Sequence, residues 1–200
     1  MPATNFVQEY KEPFSLFELW LREAGMVEEN DPNAMALSTA DKKGKVSVRM
    51  MLLKGVDENG FVFYTNLNSP KGQNLIENPN AALCFYWKSQ RRQIRVTGRV
   101  EKVSDQAADA YFATRPRGSQ IGAWASEQSY SLLSRDALEG KIKEIERKFE
   151  GKKVKRPPYW SGFCLIPDEV EFWQAGQYRL HDRFVFMRGN EDWTITRLNP

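Results

Sequence analysis

A chain of 200 residues that is 41% hydrophobic and 28% charged carries enough apolar side chains for one substantial core and has the composition of an ordinary globular protein. Its formal charge of +3 and pI near 8.8 are too mild to call for nucleic acid and suit a small phosphorylated ligand. No zinc-finger spacing or RNA-binding signature occurs, and the one histidine leaves zinc and haem sites without a ligand set.

Met1 to Phe14 has no apolar run preceded by positive charge, so no secretory signal is expected. No stretch is long enough to span a bilayer, and a cytoplasmic protein without membrane contact is expected. Ser15-Leu16-Phe17-Glu18 reads as a capping box opening an amphipathic helix that closes near Gly25. Residues 1–30 are thus taken as an N-terminal segment and helix, and residues 31–200 as a single domain. Strand-like segments follow at Ala34 to Ala40, Lys45 to Val56 and Phe61 to Asn66, separated by Asp41-Lys42-Lys43-Gly44 and Asp57-Glu58-Asn59-Gly60. A short helix fits Pro70 to Glu77, with proline in its first turn. Strands continue at Ala81 to Trp87 and Gln93 to Val103, rich in aromatic and β-branched residues. The middle is helical: Asp105 to Ala113, Ser119 to Ala125 and Arg135 to Phe149. Gly151 to Pro158 is a basic loop that reads as a solvated linker. Strands resume at Gly162 to Ile166, Val170 to Gln174, Arg183 to Met187 and Trp193 to Arg197. Cys84 and Cys164 lie in apolar runs and read as buried small hydrophobes, not as a disulfide. Short strands between tight turns, interrupted by helices, predict a closed antiparallel barrel with helices packed outside. No glycine-rich dinucleotide fingerprint is present.

The most informative run is Glu171-Phe172-Trp173-Gln174-Ala175-Gly176-Gln177-Tyr178-Arg179-Leu180-His181-Asp182-Arg183. If its second half is extended, a period of two puts Arg179, His181 and Arg183 on one face. Two guanidiniums beside an imidazole call for something anionic or electron-rich across them, and the flanking aromatics suggest a walled ligand site. Glu-Phe-Trp-Gln, four residues, then Arg-Leu-His-Asp-Arg resembles the C-terminal signature of the pyridoxine (pyridoxamine) 5′-phosphate oxidases, with the resemblance running from about Asp31 to Pro200.

That resemblance implies a mainly β (α+β) fold, a six-stranded antiparallel split β-barrel with surrounding helices, residues 31–200 forming one FMN-binding domain. It implies FMN contacts at Arg49, Met50, Met51, Leu52, Leu53, Lys54, Tyr64, Thr65, Lys71, Gln93, Gln128, Ser129, Trp173 and Arg183. It places the substrate phosphate on Lys54, Tyr111, Arg115 and Ser119, and the substrate ring under Arg179, Leu180 and His181, of which Arg179 and His181 are the catalytic pair. Asp31 matches an aspartate near that site. Pure alternation sets Arg49 and Lys54 on opposite faces, which fits either two phosphates or a bulge. Ser119 is expected at the N-cap of a helix, where a hydroxyl and free N–H groups can share a phosphate.

The implied activity is oxidation of pyridoxine 5′-phosphate and pyridoxamine 5′-phosphate to pyridoxal 5′-phosphate, with O2 as acceptor giving hydrogen peroxide, in a homodimer whose two flavin sites lie between the subunits. No metal is implied. Rival readings are a split-barrel oxidase of another aromatic, such as a phenazine precursor, and a flavin carrier without turnover; the intact phosphate set and the Arg179–His181 pair argue against them. Two departures stand out. Pro70 replaces the arginine that usually precedes the family's lysine, and Asn5 to Pro13 has no clear match to the family's basic N-terminal lid.

Overall fold

Strict alternation builds the first strand. In β1 (Ala34–Ala40) Met35, Leu37 and Thr39 are buried and the residues between them are half-exposed, as expected of a strand with one face on a core. The computed structural model describes residues 7–200. Its strands β1, β2 (Val46–Leu52), β3 (Gly55–Asp57), β4 (Gly60–Asn66), β5 (Asn80–Trp87), β6 (Arg92–Lys102), β7 (Trp160–Gln174), β8 (Asp182–Arg188) and β9 (Trp193–Leu198) form one antiparallel sheet. Neighbours run β2–β1–β5–β6–β7–β4–β3, and β8 and β9 continue from the second half of β7. Only Leu53 and Lys54 separate β2 from β3, and their N–H groups donate to the Asn33 and Val62 carbonyls. This one bent segment therefore pairs with β1 on one side and β4 on the other, which closes a ring of six strands. The chain is a mainly β split barrel, as the resemblance implies.

The strand expected from Lys45 to Val56 is thus two strands with a break at Leu53–Lys54. Conversely, the two strands expected from Gly162 and Val170 are one, because β7 runs on through Pro167. A register shift between Thr97 and Gly98 in β6 takes up the missing proline donor.

Helices pack on this frame. In α1 (Pro13–Ala24) Leu16, Phe17, Trp20 and Ala24 are buried, and Phe17 meets Phe61 at 4.9 Å and Phe85 at 5.0 Å in edge contacts. The cap is not Ser15. The helix begins at Pro13, whose missing N–H costs nothing there, and the Glu12 carboxylate accepts from the Phe14 and Ser15 N–H groups. The short helix α2 spans Pro70–Glu77 with Ser69 as its N-cap. α3 (Asp105–Thr114), α4 (Arg117–Ala125) and α5 (Arg135–Lys148) gather Phe112, Ile121, Phe149, Val154 and Trp160 into a second apolar cluster. Tyr64 of β4 and Tyr111 pack against that cluster, so the seam between barrel and helices runs past them.

Val7 is buried at the head of a 3-10 turn, Val7–Glu9; Met1 to Phe6, including part of the stretches judged for a signal and a lid, lie outside the described residues. Both cysteines are free and half-buried rather than fully buried; burial, with Asp57 and Glu101 adding, pushes the Cys164 thiol up to about 11. No helix among the described residues is long and apolar enough to cross a membrane.

Candidate functional site

A cavity of about 300 Å³ opens on the seam, lined by Met51, Leu52, Lys54, Tyr64, Thr65, Lys71, Tyr111, Arg115, Gln128 and Trp160. Three cations face it and no carboxylate does. Lys54 arrives there because alternation breaks after Leu52, Lys71 because α2 starts at Pro70, and Arg115 because it caps the C-terminal end of α3.

Lys71 is only 9% exposed. Its ammonium donates to Gln128 Oε1 at 2.7 Å and to Ser69 Oγ at 3.4 Å, and Thr65 Oγ1 also reaches Gln128 Oε1 at 3.4 Å. Burial first, and the neighbouring Arg49 charge second, lower its pKa to about 8. Arg49 is held by the Leu37 carbonyl at 3.0 Å and Thr39 Oγ1 at 2.9 Å, and Asn74 of α2 donates to the same hydroxyl at 3.2 Å. Two adjacent cations with only neutral partners make a place for an anion. Pro70, where the resemblance implies a further cation, stands at the first position of α2.

On the other wall three rings lie nearly parallel. Tyr64 stacks on Tyr111 at 4.1 Å and on Trp160 at 5.3 Å, and Tyr111 lies 6.2 Å from Trp160. Gly162, opposite Tyr64 in the β4–β7 register, makes room: a Cβ there would come within 2.7 Å of the Tyr64 ring. The Arg115 guanidinium sits over the Trp160 ring at 4.8 Å and over Phe112 at 5.6 Å. Its Nη1 is buried with no hydrogen-bond partner, and its pKa is lowered by burial. A buried, unpartnered guanidinium N–H is costly unless a ligand meets it. Trp160 was not among the expected site residues. The only sequence signal for it is a tryptophan placed directly after a basic, proline-rich loop.

A second group of expected residues lies on the sheet. Gln93, Trp173 and Arg183 stand directly opposite one another across β6, β7 and β8. Glu171, 3% exposed, bridges this row to the next: Oε1 accepts from Arg183 Nε at 2.7 Å and Oε2 from Arg95 Nη1 at 2.9 Å, and the hydrogen bond to Glu171 raises the Arg183 pKa. The His181 ring lies 4.6 Å from Trp173. None of these residues lines the cavity.

The extended course expected for Arg179 to Arg183 is not observed. Gln177–Arg179 is a 3-10 turn in which Tyr178 (φ 54°) and Arg179 (φ 66°) are left-handed, and β8 starts only at Asp182. Gly176 permits it, since a Cβ there would come within 1.7 Å of the Leu180 carbonyl oxygen. The shared strand face of Arg179, His181 and Arg183 therefore does not exist; instead the turn presents Arg179 and Leu180 exposed beside a half-buried His181. The Gly176 N–H donates to His181 Nδ1 at 3.2 Å, which places the proton of the neutral ring on Nε2.

Other expected residues are not gathered at the cavity. Ser119 is not an N-cap: Pro116 holds that position, because Arg117 and Gly118 already belong to α4, and Ser119 is exposed in the first turn. Ser129 is exposed with a left-handed backbone (φ 71°) next to Gln128. Met50 points outward and Leu53 is in the core. Asp31 is exposed at φ 42° ahead of Pro32.

Two family models match the chain: one described as pyridoxamine 5′-phosphate oxidase over residues 23–149, the other as the pyridoxine 5′-phosphate oxidase C-terminal dimerisation region over residues 160–200. Proteins named pyridoxine/pyridoxamine 5′-phosphate oxidase are 55% identical in Chelativorans sp. (strain BNC1), covering 100% of this chain and 96% of the relative, and 56% identical in Brucella canis, covering 99% and 98%. Among solved structures, PhzG from Burkholderia lata 383 in complex with tetrahydrophenazine-1-carboxylic acid superposes with a TM-score of 0.93 at 32% identity, over 100% of this chain and 98% of that one. An FMN-binding protein related to pyridoxamine 5′-phosphate oxidase from Nostoc punctiforme PCC 73102 shares the fold, with a TM-score of 0.75 at 18% identity over 96% and 98% of the two chains.

Proposed function

The chain belongs to the pyridoxine (pyridoxamine) 5′-phosphate oxidase family and is an oxidoreductase of phosphorylated B6 vitamers; on that premise we propose how its own residues divide the work of oxidising pyridoxine 5′-phosphate and pyridoxamine 5′-phosphate to pyridoxal 5′-phosphate, with FMN as cofactor and O2 as acceptor. The observation that carries the proposal is the convergence of Lys54, Lys71 and Arg115 on one cavity without a carboxylate in its lining. Two monoester phosphates, one from the cofactor and one from the substrate, match that charge.

FMN, when bound, supplies the two-electron redox chemistry. Lys71 and Arg49, with Thr65 and Gln128 beside them, hold its phosphate; Gln93, Trp173 and Arg183 hold its ring system. Lys54, Tyr111 and Arg115 grip the substrate phosphate, and Ser119 at the exposed start of α4 joins them when the ligand reaches it. Anchoring the remote phosphate supplies binding energy for the phosphorylated substrate, which is read in KM. His181, its Nδ1 occupied by the Gly176 N–H, presents an Nε2 proton to the substrate ring, and Arg179 adds a cation. Because no residue of the 171–183 run lines the cavity of its own chain, Arg179, His181 and the Gln93–Trp173–Arg183 row serve the cavity of a second copy across a homodimer interface, in keeping with the dimerisation region at residues 160–200.

Purified protein supplied with FMN and pyridoxine 5′-phosphate in air is expected to form pyridoxal 5′-phosphate, and absence of product from both phosphorylated vitamers would sink the assignment. Arg115→Ala should raise the substrate KM roughly 10- to 150-fold, the equivalent of about 1.5–3 kcal/mol for a charged hydrogen bond; wild-type protein that oxidises unphosphorylated pyridoxine equally well would show that the phosphate grip is misassigned. His181→Ala should lower turnover and leave FMN bound, since the imidazole serves substrate and Arg183 the cofactor; undiminished activity would return His181 to a packing role against Trp173. A phenazine-type substrate has one observation in its favour, the 0.93 superposition on PhzG. The greater identity to the B6 oxidases, 55–56% against 32%, and the phosphate-sized cluster of cations favour the B6 vitamers.

A further inference from the structure

Among the residues lining the cavity, Trp160 has no role in the division of work above, and its contacts are unusually directed. It is the first residue of β7, placed where the Pro157 carbonyl accepts its N–H and Arg156 Nη1 donates to its own carbonyl at 2.7 Å. One neighbour of its indole is the Tyr64–Tyr111 stack, parallel to within 6° and 9°; another is the Arg115 guanidinium at 4.8 Å, with Phe112 set edge-on at 5.1 Å. Arg115 forms no ion pair among the described residues, and its Nη1 lacks a partner, while the Trp160 and Phe112 faces lie against the guanidinium.

We propose that Trp160 is a positioning residue for substrate phosphate recognition: its ring holds the Arg115 guanidinium, and the Tyr111 ring beside it, in the orientation that meets the phosphate. A carboxylate could hold the arginine equally well but would neutralise the charge the phosphate needs. An aromatic face holds it through the ring quadrupole and leaves the N–H groups free. The proposal rests on Arg115 gripping the substrate phosphate, and it makes Trp160 matter for binding of the phosphorylated substrate rather than for the redox step.

Steady-state kinetics on FMN-loaded protein test it, with a cycle of Trp160→Phe, Arg115→Ala and the double variant. Trp160→Phe retains a ring in the second core cluster with a smaller, weaker face for the cation. It should raise KM for pyridoxine 5′-phosphate about threefold, Trp160→Leu about tenfold, with kcat at saturation and FMN affinity changed less than about twofold. In the Arg115→Ala background the Trp160→Phe effect should disappear, because nothing remains to be positioned. A purely structural role predicts instead that the two effects multiply, or that kcat and FMN affinity fall with KM, and either result overturns the proposal. If Trp160→Leu does not fold, the phenylalanine cycle decides alone. An Arg115→Ala variant with unaltered KM would overturn the phosphate assignment of Arg115 itself, whereas a raised KM there with no effect of Trp160→Phe removes only the role of the tryptophan.

Discussion

Lys71→Ala is expected to weaken FMN binding roughly 10- to 150-fold, the loss of one charge-assisted contact worth about 1.5–3 kcal/mol, and to leave riboflavin binding nearly unchanged. The ammonium is almost buried, its partners are a carbonyl oxygen and a hydroxyl, and Arg49 stands beside it; a bound anion relieves that arrangement while the lysine is charged. The same geometry sets a pH dependence. Burial and Arg49 bring the Lys71 pKa from 10.5 to about 8, so in the flavin-free protein the cation proposed to receive the phosphate is lost as pH rises through about 8, and FMN affinity should fall there. For folding, the sign is opposite. Between about pH 8 and 10.5 the unfolded chain holds the proton that the folded chain has released, so this group makes the flavin-free protein more stable as pH rises across that window. Flavin fluorescence titrations at pH 7 and pH 9.5, on wild type and Lys71→Ala, with FMN and with riboflavin, check the binding predictions, and denaturant unfolding of the two flavin-free proteins across pH 8 to 10.5 checks the stability prediction. Equal FMN affinity in the two proteins at pH 7 would remove Lys71 from the phosphate site.

The residues that carry local signals were legible in the sequence. Helix α2 was expected from Pro70 to Glu77 and lies there, because a proline at the first turn and the amphipathic run behind it leave few alternatives. β1 keeps its expected bounds because turns enclose it and its alternation is strict. Long-range effects were not legible. The Gly162–Ile166 and Val170–Gln174 segments looked separate because Pro167 ends strands by its own chemistry, yet the bulge opposite it at Thr97/Gly98 lets β7 continue. The Lys45–Val56 segment looked continuous, yet its two halves pair with different strands, and that change of partner both closes the barrel and delivers Lys54 to the cavity. Arg179 to Arg183 alternates like a strand, but the tight turn at Gly176 and two left-handed residues override the pattern. Trp160 was invisible because its importance lies in what it faces, two tyrosines from β4 and α3 and an arginine at the end of α3, none of them near it in sequence.

Val48→Asp should abolish dimerisation and with it at least about 99% of turnover. The outer face of β2 exposes Val46 (75%), Val48 (65%), Met50 (66%) and Leu52 (37%) in one stripe. Across the sheet the same face continues with small residues, Ala36 opposite Met50 and Ser38 opposite Val48, then Cys84 and Ala82 on β5, so another flat surface can approach closely. Beyond them come the polar rows of Gln93, Arg95, Glu171, Trp173 and Arg183. An apolar stripe edged by polar residues is the composition of an interface core and rim, and two-fold pairing is the commonest way to bury one. Leu52 belongs both to the stripe and to the cavity lining, so a second copy that covers the stripe also reaches the cavity. That contact is what would bring Arg179, His181 and Trp173 to substrate and flavin, since within one chain they do not line it. A carboxylate at position 48 would be buried without a partner in the pair, at a cost of several kcal/mol on each side of the two-fold, while the exposed β2 face of the isolated chain tolerates it. Val48→Ala, which only trims the contact, should retain the dimer and most of the activity. Light scattering with activity measured at the same concentration decides the matter. A Val48→Asp protein with the mass of one chain and wild-type turnover would show that each chain completes its own site.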